Sequence, residues 1–219
     1  NLPVPREAWG FAERAVTELL SDSGEMESAL DVGCAVGRSS FELARRAQRV
    51  VGVDYSRAFV DACKTIQSAG EMSGEVLAEG ERMQEFLARV PTEIDRGRVE
   101  FHVGDAMELP ELGAFDVVLG ANLICRLPDP RKFLARLPSL VKPGGQLLLA
   151  TPFSWLEEFT PREHWLGGSR DSPSSFEVLS QILKSDFDLE TTTNLPFLIR
   201  EHSRKFQYGI SFGSRWRRR

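Results

Sequence analysis

Residues 29–40 read Ala-Leu-Asp-Val-Gly-Cys-Ala-Val-Gly-Arg-Ser-Ser. The stretch begins as a buried strand, passes through a glycine turn and continues as the start of a helix. Gly33 and Gly37 let the backbone turn sharply and lie close to a ligand, because they have no Cβ atom. Seventeen residues after Gly37, a second apolar run ends at Asp54, where a carboxylate can accept hydrogen bonds from both hydroxyls of a ribose. These features predict a site for an adenosine-containing cofactor.

The spacing of the glycine turn narrows the choice of cofactor. Gly33, Ala35 and Gly37 give the pattern G-x-A-x-G, which is one residue shorter than the G-x-G-x-x-G of dinucleotide sites. Asp31 also places a carboxylate just before the turn, where it would repel a pyrophosphate. Both points favour S-adenosylmethionine, which carries a cationic amino group and sulfonium and has no phosphate. The alternative is an ordinary turn between a strand and a helix.

Composition limits the class of protein. The 219 residues are 42% hydrophobic and 27% charged, which fits one soluble domain, 1–219. A net charge of −5 argues against a nucleic-acid groove, and neither a membrane span nor a signal-peptide core is present. The three cysteines match no zinc spacing and no disulfide framework, so we expect no metal site and a reducing, cytoplasmic location. Because the first residue is Asn1, we expect the chain to be a piece of a longer protein.

Strand and helix patterns alternate along most of the chain. We predict strands around Leu30 and Val32, at 49–54, 99–103, 115–120 and 146–150, and two antiparallel strands within 188–212. Helices are predicted at 5–20, after Ser56 as a cap, at 130–141 and at 175–183, with a turn at 142–145. Residues 71–98 form an insertion with a charged amphipathic helix at 79–90, and 153–173 form a second, irregular insertion. The alternation predicts an α/β fold with a doubly wound, seven-stranded, mostly parallel sheet whose last strand is antiparallel.

Ligands of doubly wound sheets bind at the carboxyl ends of the strands. The glycine turn 33–37, the pair Asp54-Tyr55, the pair Asp105-Ala106 and Asn122 all follow predicted strands. We therefore expect these four segments to meet at one edge of the sheet and to form the binding site.

The chain resembles the Rossmann-like S-adenosylmethionine-dependent methyltransferases over roughly residues 28–152, in the turn 31–37, Asp54, the pair Asp105-Ala106, the strand Phe-Asp-Val-Val at 115–118 and Lys-Pro-Gly-Gly at 142–145. A narrower resemblance rests on Ala-Asn-Leu-Ile at 121–124, Trp-Leu-Glu-Glu-Phe-Thr-Pro-Arg-Glu at 155–163, Trp-Leu-Gly-Gly at 165–168 and Arg-Lys-Phe-Gln at 204–207. These segments are similar to the C-terminal methyltransferase domain of ovothiol synthase (OvoA). The resemblance implies methylation of an imidazole nitrogen of 5-thiohistidine, which a separate iron-dependent sulfoxide synthase domain at the N-terminus helps to make. One departure is Ala35, where most methyltransferases have glycine. We expect it to cost little, since it adds one methyl group.

The resemblance and the strand-end positions together imply a cofactor shell. Backbone groups of Gly33, Cys34 and Ala35, with Gly37, would face the methionine part. Asp31 would lie near its ammonium, and Arg38 would either reach its carboxylate or face solvent. Asp54 would hold the ribose and Tyr55 would stack beside the adenine. Asp105 would accept from the adenine amino group or merely cap a turn, while Ala106 and Met107 supply a backbone contact and an apolar wall. Asn122 would face the methyl group as the catalytic residue, and either Asn122 or a carboxylate of the insertion 153–173 would orient the substrate ring.

The segment after the fifth strand is long enough to cover the site. Trp155, Phe159 and Trp165 would stack on an imidazole and attract the sulfonium, and Glu157 or Glu158 would pair with the substrate ammonium. On the last two strands, Arg200 or Lys205 would bind the substrate carboxylate. The alternative is that the tryptophans fill core and the charges are solvated.

Three other functions remain open on the sequence. The first is a methyltransferase of the same fold with another small-molecule or peptide substrate. The second is a nicotinamide-dependent oxidoreductase, and the third is a non-catalytic binding module. No Ser/His/Asp, Cys/His or metal-ligand pattern accompanies the glycine turn, so we expect catalysis by alignment of the reactants.

Overall fold

Short apolar runs form a central sheet, because strands that are apolar on both faces are stable only between two helical layers. The computed structural model describes residues 5–21 and 24–219. Its helices and strands are, in chain order, α1 Phe11–Thr17, β1 Met26–Val32, α2 Arg38–Leu43, β2 Ala47–Asp54, α3 Arg57–Ala69, β3 Glu71–Glu79, β4 Arg82–Arg89, β5 Val99–Val103, β6 Phe115–Ala121, α4 Pro130–Leu140, β7 Val141–Thr151, α5 Ser175–Leu183, β8 Phe187–His202 and β9 Lys205–Arg218.

The main sheet has seven strands in the order β5-β2-β1-β6-β7-β9-β8. Neighbouring strands from β5 to β7 are parallel, and β9 runs antiparallel to both β7 and β8. The predicted α/β fold, with its seven-stranded, mostly parallel sheet and antiparallel last strand, is confirmed. From β1 the chain first adds β2 and β5 on one side, and then β6 and β7 on the other side. The carboxyl ends of β1, β2, β5 and β6 therefore face one crevice.

Two hydrophobic cores cover the two faces of this sheet. On β1, Ala29 packs with α1, α2 and α3, whereas Leu30 and Val32 pack with α4 and α5. Alternate residues of one strand therefore belong to different cores, as the period of two requires. Asp31 lies on the α2 side, where it is almost fully buried.

The predicted helix at 79–90 is wrong, because the segment is half of a β-hairpin. β3 and β4 pair antiparallel through the two-residue loop Gly80-Glu81, and Gly80 has φ +54°, a conformation that favours glycine in such loops. On β3, every second residue, including Met72, is partly buried, and Met72 packs against the α1–α3 core. The charges at 79–90 fit a helical period, but the alternation that starts at Glu71 decides the structure.

Glycines with positive φ account for two other differences from the predicted elements. Gly10, at φ +64°, separates a short 3₁₀ turn at Arg6–Ala8 from α1, so the predicted helix 5–20 is two pieces. Gly144, at φ +75°, lies in a bulge within β7, where Phe115 pairs with Val141 and Val117 pairs with Gln146. The predicted turn 142–145 is therefore a bulge inside a longer strand.

The remaining helix and strand predictions agree with the structure within a few residues, except that β9 continues to Arg218, six residues beyond the predicted limit at 212. α5 has the predicted bounds, and Ser56 caps α3 by accepting a hydrogen bond from the Phe59 amide. Residues 153–173 contain only one short 3₁₀ turn. Among the described residues, no helix has both the length and the apolar character needed to cross a membrane.

Two arginines of β9, and Arg219 immediately after it, form ion pairs with the neighbouring strand β8. Arg215 and Arg217 both contact Glu190, at 2.8 Å each, and Arg219 contacts Asp188 at 2.6 Å. These charges bind the last strand of this sequence to the edge strand that precedes it in the chain.

Candidate functional site

The glycine turn after β1 is fixed against β2 by backbone hydrogen bonds. The amides of Gly33 and Cys34 both donate to the Val53 carbonyl, at 2.8 and 3.1 Å, and the Gly37 amide donates to the Cys34 carbonyl at 2.8 Å. Gly33 has φ +75° and Gly37 has φ +84°, and both values lie in the region that glycine adopts without strain. The protein's own backbone hydrogen bonds therefore define the shape of the turn.

Asp54, at the end of β2, points its carboxylate into the mouth of this turn. One oxygen accepts from the Ala35 amide at 2.8 Å, and the other accepts from the Ser56 amide at 2.9 Å. Each carboxylate oxygen can accept more than one hydrogen bond, so the group is oriented and still has capacity for a ligand. Asp54 links the glycine turn, β2 and the start of α3.

Asp31 lies beneath the turn, at 1% exposure. Its Oδ2 atom accepts from the Ser39 and Ser40 hydroxyls at 2.7 and 2.6 Å, while Oδ1 has no hydrogen-bond partner. Burial raises the pKa of Asp31 to about 6, against the hydrogen bonds from Ser40 and Ser39, which lower it. An unpartnered buried carboxylate oxygen is costly, and a cationic group placed beside it would remove that cost.

Ala35 has φ +47°, so the free-energy cost of an alanine at this position comes from its backbone conformation and not from its size. A left-handed backbone costs an L-residue about 1–2 kcal/mol. Glycine would remove this strain but would add about 0.4–1 kcal/mol of backbone entropy to the unfolded state. We expect Ala35→Gly to be neutral or to stabilise the protein by up to about 1 kcal/mol in urea unfolding.

Gly33→Ala is the matched contrast for this prediction. The new Cβ would lie 2.9 Å from Leu123 Cδ1, at a residue with φ +75°. We expect the free energy of unfolding to fall by more than about 1 kcal/mol. Equal effects of the two substitutions would contradict the assignment of strain to Ala35.

A cavity of about 430 Å³ opens at the carboxyl ends of β1, β2, β5 and β6. Six residues that the sequence assigned to the cofactor line it, namely Gly33, Asp54, Tyr55, Asp105, Ala106 and Met107. Asp105 caps a turn by accepting from the Met107 amide at 2.8 Å, and it lines the cavity as well, so both of its predicted roles are compatible. The cavity wall includes Glu158 and Phe159 from the segment after β7.

The loop after β6 completes the cavity, and the sequence analysis missed it. Its residues Leu123, Arg126, Leu127 and Pro128 line the opening. The Arg126 guanidinium carbon lies 4.7 Å above the centre of the Phe159 ring. A cation shortly after the end of a predicted strand is the signal in the sequence that could have indicated this wall.

These residues fit S-adenosylmethionine on two observations of the structure. The orphaned oxygen of Asp31, beneath the turn, suits a cationic ammonium, and Gly33, which lines the cavity, lets a ligand lie close to its backbone. The carboxylates do not suit a pyrophosphate, because Asp31 and Asp54 would repel it at the turn.

Asn122 lies in a second cavity, of about 530 Å³, and not in the first. It follows β6 with φ +54°, and its Oδ1 atom accepts from the Ser211 hydroxyl at 2.6 Å. The second cavity is lined partly by apolar and aromatic residues of β8 and β9, such as Phe197 and Tyr208, and partly by the polar Gln207. Arg126 lines both cavities.

The side chains of Arg38 and Cys34 point away from the first cavity. Arg38 pairs with Glu13 at 2.6 Å and with Glu42 at 3.3 Å, so its charge is used within the α1–α2 layer. Cys34 is 3% exposed, and its pKa is raised mainly by a hydrogen bond with Cys63. Cys34, Ala35 and Gly37 therefore contribute to the turn through their backbone.

The two tryptophans of the second insertion stabilise that segment. Trp155 and Trp165 stack with ring centres 6.4 Å apart. Trp155 donates to the Ser175 hydroxyl at 2.9 Å and Trp165 donates to the Thr160 carbonyl at 2.8 Å. Neither lines the first or the second cavity, and Glu157 is exposed. Of the predicted lid residues, only Glu158 and Phe159 face the cofactor cavity.

The structure does not bring Arg200 or Lys205 to either cavity. Arg200 lines a separate groove near Trp9 and contacts Gln84 at 3.3 Å. Lys205 pairs with Glu201 at the start of β9. β8 and β9 are long enough that their connecting turn reaches the β3–β4 hairpin, where Ser203 donates to the Ala78 carbonyl. The strand lengths therefore separate these two cations from the site.

Comparison with known proteins gives one family match. The family described as "Methyltransferase domain" matches residues 30–149. Among curated relatives, the chain is 32% identical over 145 residues to the magnesium-protoporphyrin O-methyltransferase of Rhodobacter capsulatus, covering 62% of this chain and 53% of that protein. It is 26% identical over 122 residues to the ubiquinone biosynthesis O-methyltransferase of Coxiella burnetii, covering 56% and 42%. The chain spans about half the length of the curated relatives it matches.

Solved structures show the same fold. The N-methyltransferase NodS of Bradyrhizobium japonicum WM9 superposes with a TM-score of 0.59 at 15% identity, covering 94% of this chain and 93% of that one. The magnesium protoporphyrin IX methyltransferase of Synechocystis PCC 6803, a structure with bound SAM, gives 0.54 at 18% identity, covering 90% and 71%.

Proposed function

The chain belongs to the methyltransferase domain family, since the family match covers more than half of it, and from this premise we propose that it methylates an imidazole nitrogen of 5-thiohistidine. The fold is that of the Rossmann-type S-adenosylmethionine-dependent methyltransferases, and the cofactor of this domain is S-adenosylmethionine. Family membership removes the nicotinamide-dependent oxidoreductase that the sequence left open.

One observation supports a small polar substrate above the others. A second cavity of about 530 Å³ lies beside the cofactor cavity, and the two share Arg126. Small-molecule sites combine apolar walls with a few placed polar groups, and the second cavity has Phe197 and Tyr208 beside Asn122 and Gln207. Aromatic faces suit an imidazole ring, and amide groups suit its N–H and lone pair.

In this proposal the chain's residues act on the cofactor through orientation. Asp54 accepts from the ribose hydroxyls, and the free Asp31 oxygen pairs with the ammonium of the methionine part. The Asp105 carboxylate accepts from the adenine amino group, with Tyr55 beside the ring and Met107 as an apolar wall. When bound, S-adenosylmethionine supplies an activated methyl group.

The substrate side needs alignment more than proton transfer. A neutral imidazole nitrogen already has a lone pair, so a strong general base is not required. Correct alignment can contribute about 7–11 kcal/mol to lowering the barrier. The Asn122 amide, which the Ser211 hydroxyl holds at 2.6 Å, would orient the ring.

The proposal extends to the longer protein. We propose that this domain is the C-terminal part of a cytoplasmic ovothiol synthase, in which an N-terminal iron-dependent sulfoxide synthase domain contributes to making 5-thiohistidine. No nucleic acid and no membrane take part in the proposed reaction. The resemblance at 155–163 and 204–207 supports this reading, and the segment 155–163 contributes Glu158 and Phe159 to the cofactor cavity.

A product analysis tests the proposed function. Purified protein would be incubated with S-adenosylmethionine carrying a deuterated methyl group and with 5-thiohistidine, histidine or a catechol. We expect a labelled product from 5-thiohistidine alone, with fragmentation that places the label on a ring nitrogen. Label on sulfur, or transfer to the catechol, would instead support another methyltransferase of this fold. Cofactor binding without any transfer would support a non-catalytic binding module.

A further inference from the structure

Arg126 has a position that no other cavity residue shares. Among the described residues that line the cofactor cavity and the second cavity, Arg126 alone lines both. It follows β6 in a short 3₁₀ turn, four residues after Asn122. A group held by Arg126 would therefore lie next to both the cofactor and the substrate.

The Arg126 guanidinium is held in place by neutral groups. Its Nη1 atom donates to the carbonyls of Cys125 and Ser154, at 3.3 and 3.2 Å, and its central carbon lies over the Phe159 ring. In residues 5–21 and 24–219, no carboxylate lies within 4.0 Å of Arg126, and its Nε and Nη2 atoms donate to no protein acceptor. By contrast, Arg38 of α2 pairs with two carboxylates.

A fixed guanidinium with free N–H groups matches a carboxylate. Arginine presents donors in a planar fork that binds both oxygens of a carboxylate at once. Stacking on Phe159 reduces the freedom that the side chain would lose on binding. Placement at the junction of the two cavities favours the carboxylate of a small substrate in the second cavity.

We propose that Arg126 binds the carboxylate of the amino-acid substrate and so makes the enzyme prefer an amino acid to the corresponding amine. This inference rests on the proposed function, because it takes 5-thiohistidine as the substrate. It assigns to Arg126 the role that the sequence analysis gave to Arg200 or Lys205. Glu158, on the wall of the cofactor cavity, is the carboxylate available for the substrate ammonium.

A pair of substrates tests the role of Arg126. Transfer to 5-thiohistidine and to its decarboxylated analogue, 5-thiohistamine, would be measured with the wild-type protein and with Arg126→Ala. We expect kcat/KM for 5-thiohistidine to fall about 10- to 150-fold in Arg126→Ala, as for a lost hydrogen bond to a charged group. The value for 5-thiohistamine should not change. Arg126→Lys should recover part of the preference, since it keeps the charge without the fork.

Calorimetry with S-adenosylhomocysteine and two further variants complete the test. We expect Arg126→Ala to bind S-adenosylhomocysteine as the wild type does, and Arg131→Ala, an exposed arginine of α4, to behave as the wild type throughout. Weaker S-adenosylhomocysteine binding that accounts for the loss of turnover would overturn the inference, because Arg126 would then serve the cofactor. Loss of the preference in Arg200→Ala in place of Arg126→Ala would also overturn it.

The same measurements separate this inference from the proposed function. If the wild type methylates 5-thiohistidine and Arg126→Ala keeps the preference for it, only the assignment of Arg126 fails. If the wild type methylates neither compound, the proposed function fails and the assignment fails with it.

Discussion

Replacing Asp54 with alanine is expected to weaken the binding of S-adenosylhomocysteine by about 10- to 150-fold, which corresponds to about 1.5–3 kcal/mol for hydrogen bonds to a charged acceptor. The reason is the geometry at the end of β2. The Asp54 carboxylate is oriented by the Ala35 amide at 2.8 Å and the Ser56 amide at 2.9 Å, so no side-chain rearrangement is needed before ribose binds. Isothermal titration calorimetry of the two proteins measures the change directly.

Two further variants separate binding from folding. Asp54→Asn keeps the shape but removes the charge, and it should give an intermediate loss. Asp61→Ala removes an exposed carboxylate of α3 and should leave the affinity unchanged. Since Asp54 also links the glycine turn to α3, the melting temperature of each variant would be recorded. An affinity for S-adenosylhomocysteine in Asp54→Ala equal to that of the wild type would exclude this carboxylate as the ribose ligand.

Asp31→Asn is expected to alter how stability depends on pH. Burial raises the pKa of Asp31 to about 6 from an ordinary value of 3.8, so the folded protein holds this proton more tightly than the unfolded chain does. The wild type therefore loses stability from this group as the pH rises from about 4 to about 6, by a total of about 3 kcal/mol. Asparagine does not titrate. The unfolding free energy of the variant should therefore rise relative to that of the wild type as the pH rises from about 4 to about 6.

Urea unfolding of both proteins at several pH values measures this difference. The comparison cancels the carboxylates whose pKa is lowered, such as Asp116 beside Lys142 and Glu190 beside Arg217, because both proteins contain them. A difference that stays constant between pH 4 and 7 would show that Asp31 keeps an ordinary pKa. Asparagine still leaves one buried polar atom without a partner, at the place where Oδ1 of Asp31 has none now. This cost does not depend on pH, and it offsets part of the stability that the variant gains.

The same substitution should weaken cofactor binding. In the wild type we expect S-adenosylhomocysteine to bind more tightly as the pH rises through about 6, because the ionised Asp31 carboxylate attracts its ammonium. Asp31→Asn should bind weakly and without this dependence. The buried carboxylate would then lower stability while it improves binding, as is common for residues of functional sites.

The cofactor half of the site could be predicted because it follows from local patterns. A glycine turn after an apolar strand, and acids at the ends of the next strands, are fixed by short stretches of sequence. Parallel pairing then brings Gly33, Asp54 and Asp105 together. The charged hairpin could not be predicted in the same way, because residues 79–90 fit a helical period when they are considered without β3.

The substrate half depends on how distant segments pack. Arg126 was missed because its importance comes from two loops that meet only in the folded sheet. Arg200 and Lys205 were chosen for their charge, but the lengths of β8 and β9 carry them to the β3–β4 hairpin. Trp155 and Trp165 were chosen as aromatic groups, and their N–H partners show that they hold the segment together.

The insertion of β9 between β7 and β8 has a consequence for biosynthesis. β8 is made before β9, but it reaches the sheet only through β9, whose Arg215 and Arg217 pair with Glu190 of β8. Residues 187–202 must therefore remain without their sheet neighbour until residues 205–218 have left the ribosome. An unpaired strand edge is exposed during that interval, so slow release of this segment should favour chaperone capture of the nascent chain.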